Sequence, residues 1–221
     1  MLRGFQVAYL LVFLAATLHS QTVTIQEQAT VSFTLDFPAS TPGHYSVQVQ
    51  SDGKAHYESR SRVSSESDET DSFDYDFTVS PATREKMFDL TAKAGYFHKD
   101  LDSHRKNLAF TGKKTLRYKD ERRSGESTFN YSPDAAAQDL TSLFQGLSAT
   151  LELGHRLEYG LRYQKLALAE ELKRTEETAR LNPPVEIQAI APILQQIVAD
   201  SSVLNVTRAR AQRLLDGPSG H

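Results

Sequence analysis

The sequence predicts an α+β protein: an antiparallel meander sheet with one intervening helix, followed by an all-helical C-terminal part. Three observations carry that expectation. Up to residue 131 apolar residues alternate with polar ones, which is the period of a strand. From Ser132 onward they recur every three or four residues, the period of a helix. A single proline-capped segment near 81–94 interrupts the strands, so the first part reads as meander, helix and second meander.

Taken in order, Ala29, Val31, Phe33, Leu35 and Phe37 fall on one side of a first strand. Pro38 ends it, because proline lacks the amide that a sheet ladder needs. Tyr45, Val47 and Val49 mark a second strand, and Ala55 with Tyr57 a third. Between these two, Asp52-Gly53 suits the positive φ angles of a tight hairpin turn. Phe73, Tyr75, Phe77 and Val79 alternate with Asp74, Asp76 and Thr78, giving a half-buried strand with an acidic outer side. Ser80 can cap the free amides of the helix that follows, and Pro81 is preset for its first turn. Phe88, Leu90, Thr91 and Ala94 form the buried side of that helix, and Gly95 is its left-handed stop. Further strands are expected at Leu108 to Phe110, Leu116 to Tyr118 and Thr128 to Tyr131. Thr111-Gly112 and Ser124-Gly125-Glu126-Ser127 supply the turn chemistry between them.

Ser132-Pro133-Asp134 repeats the capping arrangement and opens the helical part. Leu140, Leu143, Phe144, Leu147 and Leu151 follow at helical spacing, then Leu157, Leu161, Leu166, Leu168 and Leu172. Each of Gly146, Gly154 and Gly160 weakens a helix by about 1 kcal/mol relative to alanine, which predicts a bend or break between Gly154 and Gly160. Asn182-Pro183-Pro184 ends this stretch. Ile187, Ile190, Ile193, Leu194 and Ile197 define the next amphipathic helix, with Pro192 a local irregularity. A last short helix spans about 207–215 and stops at Asp216-Gly217-Pro218. Asn205-Val206-Thr207 matches the glycosylation acceptor pattern, and helix capping is the preferred reading of its Asn and Thr.

Residues 1–20 read as a secretory signal peptide. Arg3 precedes an apolar run from Val7 to Leu18, and His19, Ser20 and Gln21 follow. The run is about 12 residues, short of the roughly 20 that span a bilayer. Three segments are therefore expected: 1–20, a sheet domain 21–131 and a helical domain 132–221. The mature protein is expected to be periplasmic or extracellular, with no stable membrane span.

Losing Arg3 moves the formal charge from −3 to −4, without the basic excess that nucleic-acid binding uses. The absence of cysteine removes thiol catalysis, cysteine-ligated zinc and disulfide scaffolding. No Gly-x-Ser-x-Gly elbow, phosphate-cradling loop or His-Glu-x-x-His motif occurs. Glu66, Asp68, Glu69, Asp71, Asp74 and Asp76 form the densest carboxylate run. They lack the sharp-turn glycine and the bidentate twelfth-position glutamate of a calcium loop. His98 and His104 flank a loop and are the pair to watch for joint metal ligation. No catalytic residue, metal ligand or cofactor is assigned. The one candidate binding site is basic: Lys113, Lys114, Arg117, Lys119, Arg122 and Arg123, a patch for a protein or anionic envelope partner.

Tyr45-Ser46-Val47-Gln48-Val49, Asp52-Gly53-Lys54-Ala55-His56-Tyr57, Gly95-Tyr96-Phe97 and Thr115-Leu116-Arg117-Tyr118 carry a resemblance. With the Phe77 strand leading into the Ser80-capped helix, they make residues 29–131 similar to a domain of unknown function in exported bacterial proteins. Leu143-Phe144-Gln145-Gly146 and Arg156-Leu157-Glu158-Tyr159 extend the likeness over the whole chain, to uncharacterised secreted bacterial proteins. The resemblance implies an exported location and a fold, and transfers no catalytic residue.

The expected function is an exported, non-enzymatic binding or envelope-associated interaction module. The alternative is a secreted hydrolase without a recognisable motif, which requires ionisable groups from distant segments to converge on one pocket. His98, His104 and a carboxylate of 66–76 meeting around a cavity would favour it. N-terminal sequencing of secreted material is expected to begin near Gln21; intact Met1 in a membrane fraction would overturn the export reading.

Overall fold

The computed structural model describes residues 28–62 and 70–217. Residues 1–20, read above as a signal peptide, and Glu66, Asp68 and Glu69 lie outside the described residues. The first part builds a six-stranded antiparallel sheet from β1 (Thr30–Asp36), β2 (His44–Gln50), β3 (Lys54–Arg62), β4 (Thr70–Thr78), β5 (Lys113–Lys119) and β6 (Ser124–Phe129), in the order β4-β3-β2-β1-β5-β6. α1 (Pro81–Lys93) carries the chain from the β4 edge back across the sheet, so that β5 pairs with β1 on its free side. The C-terminal part holds α2 (Ala135–Tyr163), α3 (Lys165–Ala179), α4 (Ala191–Ala199) and α5 (Asn205–Asp216). The fold is α+β, with the predicted meander, intervening helix and helical C-terminal part.

The period-2 alternation sorts the sheet into two faces. One cross-strand row reads Tyr75, Tyr57, Val47, Phe33, Leu116 and Ser127, pointing toward the helices. The neighbouring row reads Asp76, His56, Gln48, Ser32, Arg117 and Glu126, on the other face. Val31, Phe33, Val47, Val49, Tyr57 and Leu116 have no exposed surface. They share one apolar cluster with Leu140, Phe144, Leu147 and Leu151 of α2. Phe144 stacks on Phe33 with ring centres 5.5 Å apart. Each such aliphatic side chain contributes about 1.5–3 kcal/mol on full burial.

Turns and caps explain most boundaries. Gly53, at φ +92°, makes the β2–β3 turn, while Asp52 acts through its carboxylate, which accepts the Lys54 amide at 2.9 Å. Ser80 caps α1 by accepting the Thr83 amide at 3.2 Å. Asp134, rather than Ser132, caps α2 by accepting the Ala137 amide at 3.0 Å.

Five local expectations are corrected. Residues 108–110 form no strand: the Asn130 side chain accepts the Thr111 amide at 2.9 Å and donates to the Ala109 carbonyl at 3.0 Å, holding the segment as a loop. Ser124–Ser127 is strand, not turn; the turn is Asp120–Arg123, closed by the Asp120 amide on the Arg123 carbonyl at 2.8 Å. α2 runs unbroken through Gly154 and Gly160 and ends at Gln164. Pro192 lies in the first turn of α4, where its missing amide has no helical partner to lose. α5 starts after Leu204 without a side-chain cap; Asn205 instead accepts from the Arg208 guanidinium at 2.5 Å.

The glycines of α2 answer to other segments. A Cβ at Gly146 would stand 2.6 Å from Val185 Cγ2, and one at Gly154 would stand 2.5 Å from Ile190 Cγ2. The strap 185–190 therefore seats in a notch that only glycine leaves open. Its Glu186, at φ +54°, accepts the Ser80 hydroxyl at 2.6 Å and the Ser80 amide at 3.0 Å, joining the strap to the start of α1. Helix propensity alone would make Gly154→Ala stabilising by about 1 kcal/mol. The notch predicts destabilisation by about 1–3 kcal/mol from overpacking, read as a lower unfolding midpoint. A raised midpoint would contradict it.

Candidate functional site

The predicted basic patch divides by strand parity. Lys113, Arg117 and Lys119 face outward on β5, and Arg122 and Arg123 are exposed in the turn after it. Lys114 instead shares the inward face with Leu116 and Tyr118 and is only 7% exposed. Its ammonium donates to Thr111 Oγ1 and the Asn130 carbonyl, each at 2.9 Å, and desolvation lowers its pKa. Lys114 is therefore a staple beneath the Thr111-Gly112 corner, not part of the surface.

Carboxylates lie among the remaining cations. Arg117 Nε donates to Glu126 at 2.6 Å, and Lys113 faces Asp36 across the β1–β5 pair. Asp120 accepts the Tyr118 hydroxyl at 2.7 Å, the backbone amides of Arg122 and Arg123, and Arg123 Nε at 2.9 Å. Led by the Tyr118 bond, these donors hold its carboxyl well below the usual range. Burial, and then the Asp120 acceptor, push the Tyr118 hydroxyl up to about 12. The Arg123 guanidinium lies 3.9 Å from the Tyr96 ring centre, in cation–π contact.

On the same outward face, β4 itself carries Asp74 and Asp76. His56 Nδ1 lies 2.7 Å from Asp76 and Nε2 lies 3.5 Å from Asp74. The hydrogen bond to Asp76 leads in raising the His56 pKa. Asp71 stands near the start of the strand, exposed. The loop histidines are elsewhere: His104 Nε2 pairs with Asp100 at 2.7 Å, and His98 lies beside Gly125 of β6. β4 and β6 are opposite edges, five strand spacings or about 24 Å apart. Asp74 and Asp76 therefore do not meet His98 around one cavity. Among the described residues no group of three or more histidine or acidic side chains is placed to hold a metal ion. Nor is any described helix long and apolar enough to cross a membrane.

Two features escaped the motif search. At the sheet–helix interface Glu152 Oε1 accepts the Ser59 hydroxyl at 2.6 Å and the Tyr57 hydroxyl at 2.8 Å, and Tyr57 also contacts Ser148 at 2.9 Å. The signal was the polar interruption of an apolar helix face by Ser148 and Glu152 beside Leu147 and Leu151.

The second feature is the contrast between the two sheet edges. Along β6, a Cβ at Gly125 would stand 2.1 Å from the Tyr96 carbonyl oxygen, and the Leu101 amide donates to Ser127 Oγ at 2.9 Å. Segment 96–103 thus packs beneath the helix-facing side of β6, which pairs with β5 alone among the described residues. β4 pairs only with β3 among the described residues. Its inward aromatics Phe73, Tyr75 and Phe77 are half-buried, and Phe73 stacks on His155 with ring centres 4.3 Å apart. Between this row and the helices lies a slot of about 150 Å³, lined by Phe73, Tyr75, His155, Glu158, Ile193 and Gln196 among others.

No protein-family model matches the chain, and no curated protein matches it.

The His56 cluster gives a pH test. Because the folded pKa is raised, its contribution to stability is complete below the unfolded value of about 6.5 and fades as pH rises through the folded value. The Tm difference between the wild type and His56→Gln is expected to be largest near pH 5.5 and to shrink toward pH 9. A constant difference would contradict the pairing.

Proposed function

We propose that this chain is an exported binding module, of the secreted kind that its N-terminal half resembles, and that it meets an envelope partner with the open side of its sheet. The observation that carries the reading is the one-sided packing. The sheet packs its apolar face on the helices α1 and α2, and the other face presents polar and charged side chains. The field carries both signs, with Lys113, Arg117 and Lys119 on β5, Lys54, Glu58 and Arg60 on β3, and Asp74 and Asp76 on β4. Such a surface favours electrostatic recognition, in which charge sets partner choice and encounter rate more than it sets affinity. The hydrolase reading asks for distant ionisable groups in one cavity, and the groups it would use stand toward opposite sheet edges.

Capture of envelope components on immobilised residues 21–221 tests this directly. Replacing Lys113, Arg117 and Arg122 by serine is expected to lower capture about tenfold. Lys173→Glu, on the exposed side of α3, is expected to leave it unchanged. Equal capture by all three proteins would overturn the open face as the contact surface.

A further inference from the structure

We propose that the outer edge of β4, which pairs with β3 alone among the described residues, is a strand-addition site for an extended peptide that alternates basic and apolar residues. The inference rests on the binding-module reading and names a partner chemistry for its acidic side. An edge strand offers every second backbone amide and carbonyl to an incoming chain, and the rest of the ladder supplies none of these partners. Proteins commonly cover or blunt such edges. Here β4, nine residues long, pairs with β3 alone among the described residues, and a half-buried aromatic row beside a slot in the helix layer runs along it.

The side chains along β4 specify what the added strand should carry. Alternate residues of an incoming strand fall on opposite faces of the sheet. Those on the helix side meet Phe73 and Tyr75 and the slot of about 150 Å³ floored by Ile193, a volume that accepts one ring-sized apolar group. Those on the open side fall beside Asp74 and Asp76, whose side chains are 73% and 87% exposed. Opposite charges directly across a strand pair are stabilising and like charges are not. This complementarity selects lysine or arginine on one side of the peptide and aliphatic or aromatic residues on the other. It also disfavours a second copy of this chain, because two β4 edges paired about a dyad would set the Asp74 and Asp76 rows against each other.

The test uses fluorescence anisotropy with the full exported chain and a labelled peptide matching β4 in length, nine residues, that alternates lysine with leucine. Saturable binding is expected, and a peptide of the same composition with its lysines and leucines in two blocks is expected to bind at least about tenfold more weakly. Gln196→Trp, which fills the slot from the exposed side of α4, is expected to raise Kd about tenfold. Asp74→Lys/Asp76→Lys is expected to lose the lysine peptide and to gain a glutamate–leucine peptide, a switch that an unfolded variant would not show. Equal binding of the block peptide, or no change with either variant, would overturn strand addition. Concentration-dependent self-association that the peptide does not reverse would assign the edge to a second copy and also overturn it. Envelope capture that depends on Lys113, Arg117 and Arg122 but persists without peptide binding would sink this inference alone.

Discussion

The contact between α2 and the sheet is the constraint on which the remaining structure depends. Phe144 stacks on Phe33 at the centre of the apolar cluster, and Tyr57 and Ser59 reach from β3 to Glu152 on the same helix. The apolar and polar contacts do different work. Burial supplies most of the stabilisation, while the two donors on Glu152 fix the rotation and position of α2, because a buried hydroxyl without an acceptor costs about 1–3 kcal/mol. With α2 fixed, the strap 185–190 drops into the notches at Gly146 and Gly154, and Tyr75 of β4 donates to the Ala189 carbonyl at 2.9 Å. The helical layer is thereby held on one face of the sheet and drawn up to the β4 edge.

One-sided packing has a direct functional consequence. A sheet covered on both faces would bury its outward row, and the charges from Arg117 to Asp76 would then have to be neutralised internally. Left open, that row remains solvated, and its pairs, such as Arg117 with Glu126 and His56 with Asp76, stay weak and exchangeable as surface ion pairs generally are. The edges are treated asymmetrically for a similar reason. Tyr96 and Leu101 pack beneath the helix-facing side of β6, while β4 keeps a half-exposed aromatic row beside a slot in the helix layer.

Much of this architecture was legible in the sequence, and the failures are instructive. Alternation is a local property, so Val31, Phe33 and Leu35, or Tyr45, Val47 and Val49, announced their inward face without reference to anything else. Parity would also have exposed the misassignment of Lys114, which is in step with Leu116 and Tyr118 rather than with Lys113. The glycines of α2 misled because propensity describes a helix in isolation, whereas Gly146 and Gly154 are shaped by Val185 and Ile190 more than thirty residues on. The edge position of β4 was hidden for a different reason. Strand order depends on α1 returning the chain to the far side of β1, and no residue within β4 encodes that return.

The account of strand addition turns on an unpaired outer side of β4, and native-state hydrogen exchange of the free protein measures it directly. Every second amide of β4 is predicted to exchange nearly as fast as an unstructured amide, while the amides of β1 and β2, paired on both sides, are protected. Uniform protection along β4 would mean that the edge is already occupied, and would contradict strand addition there.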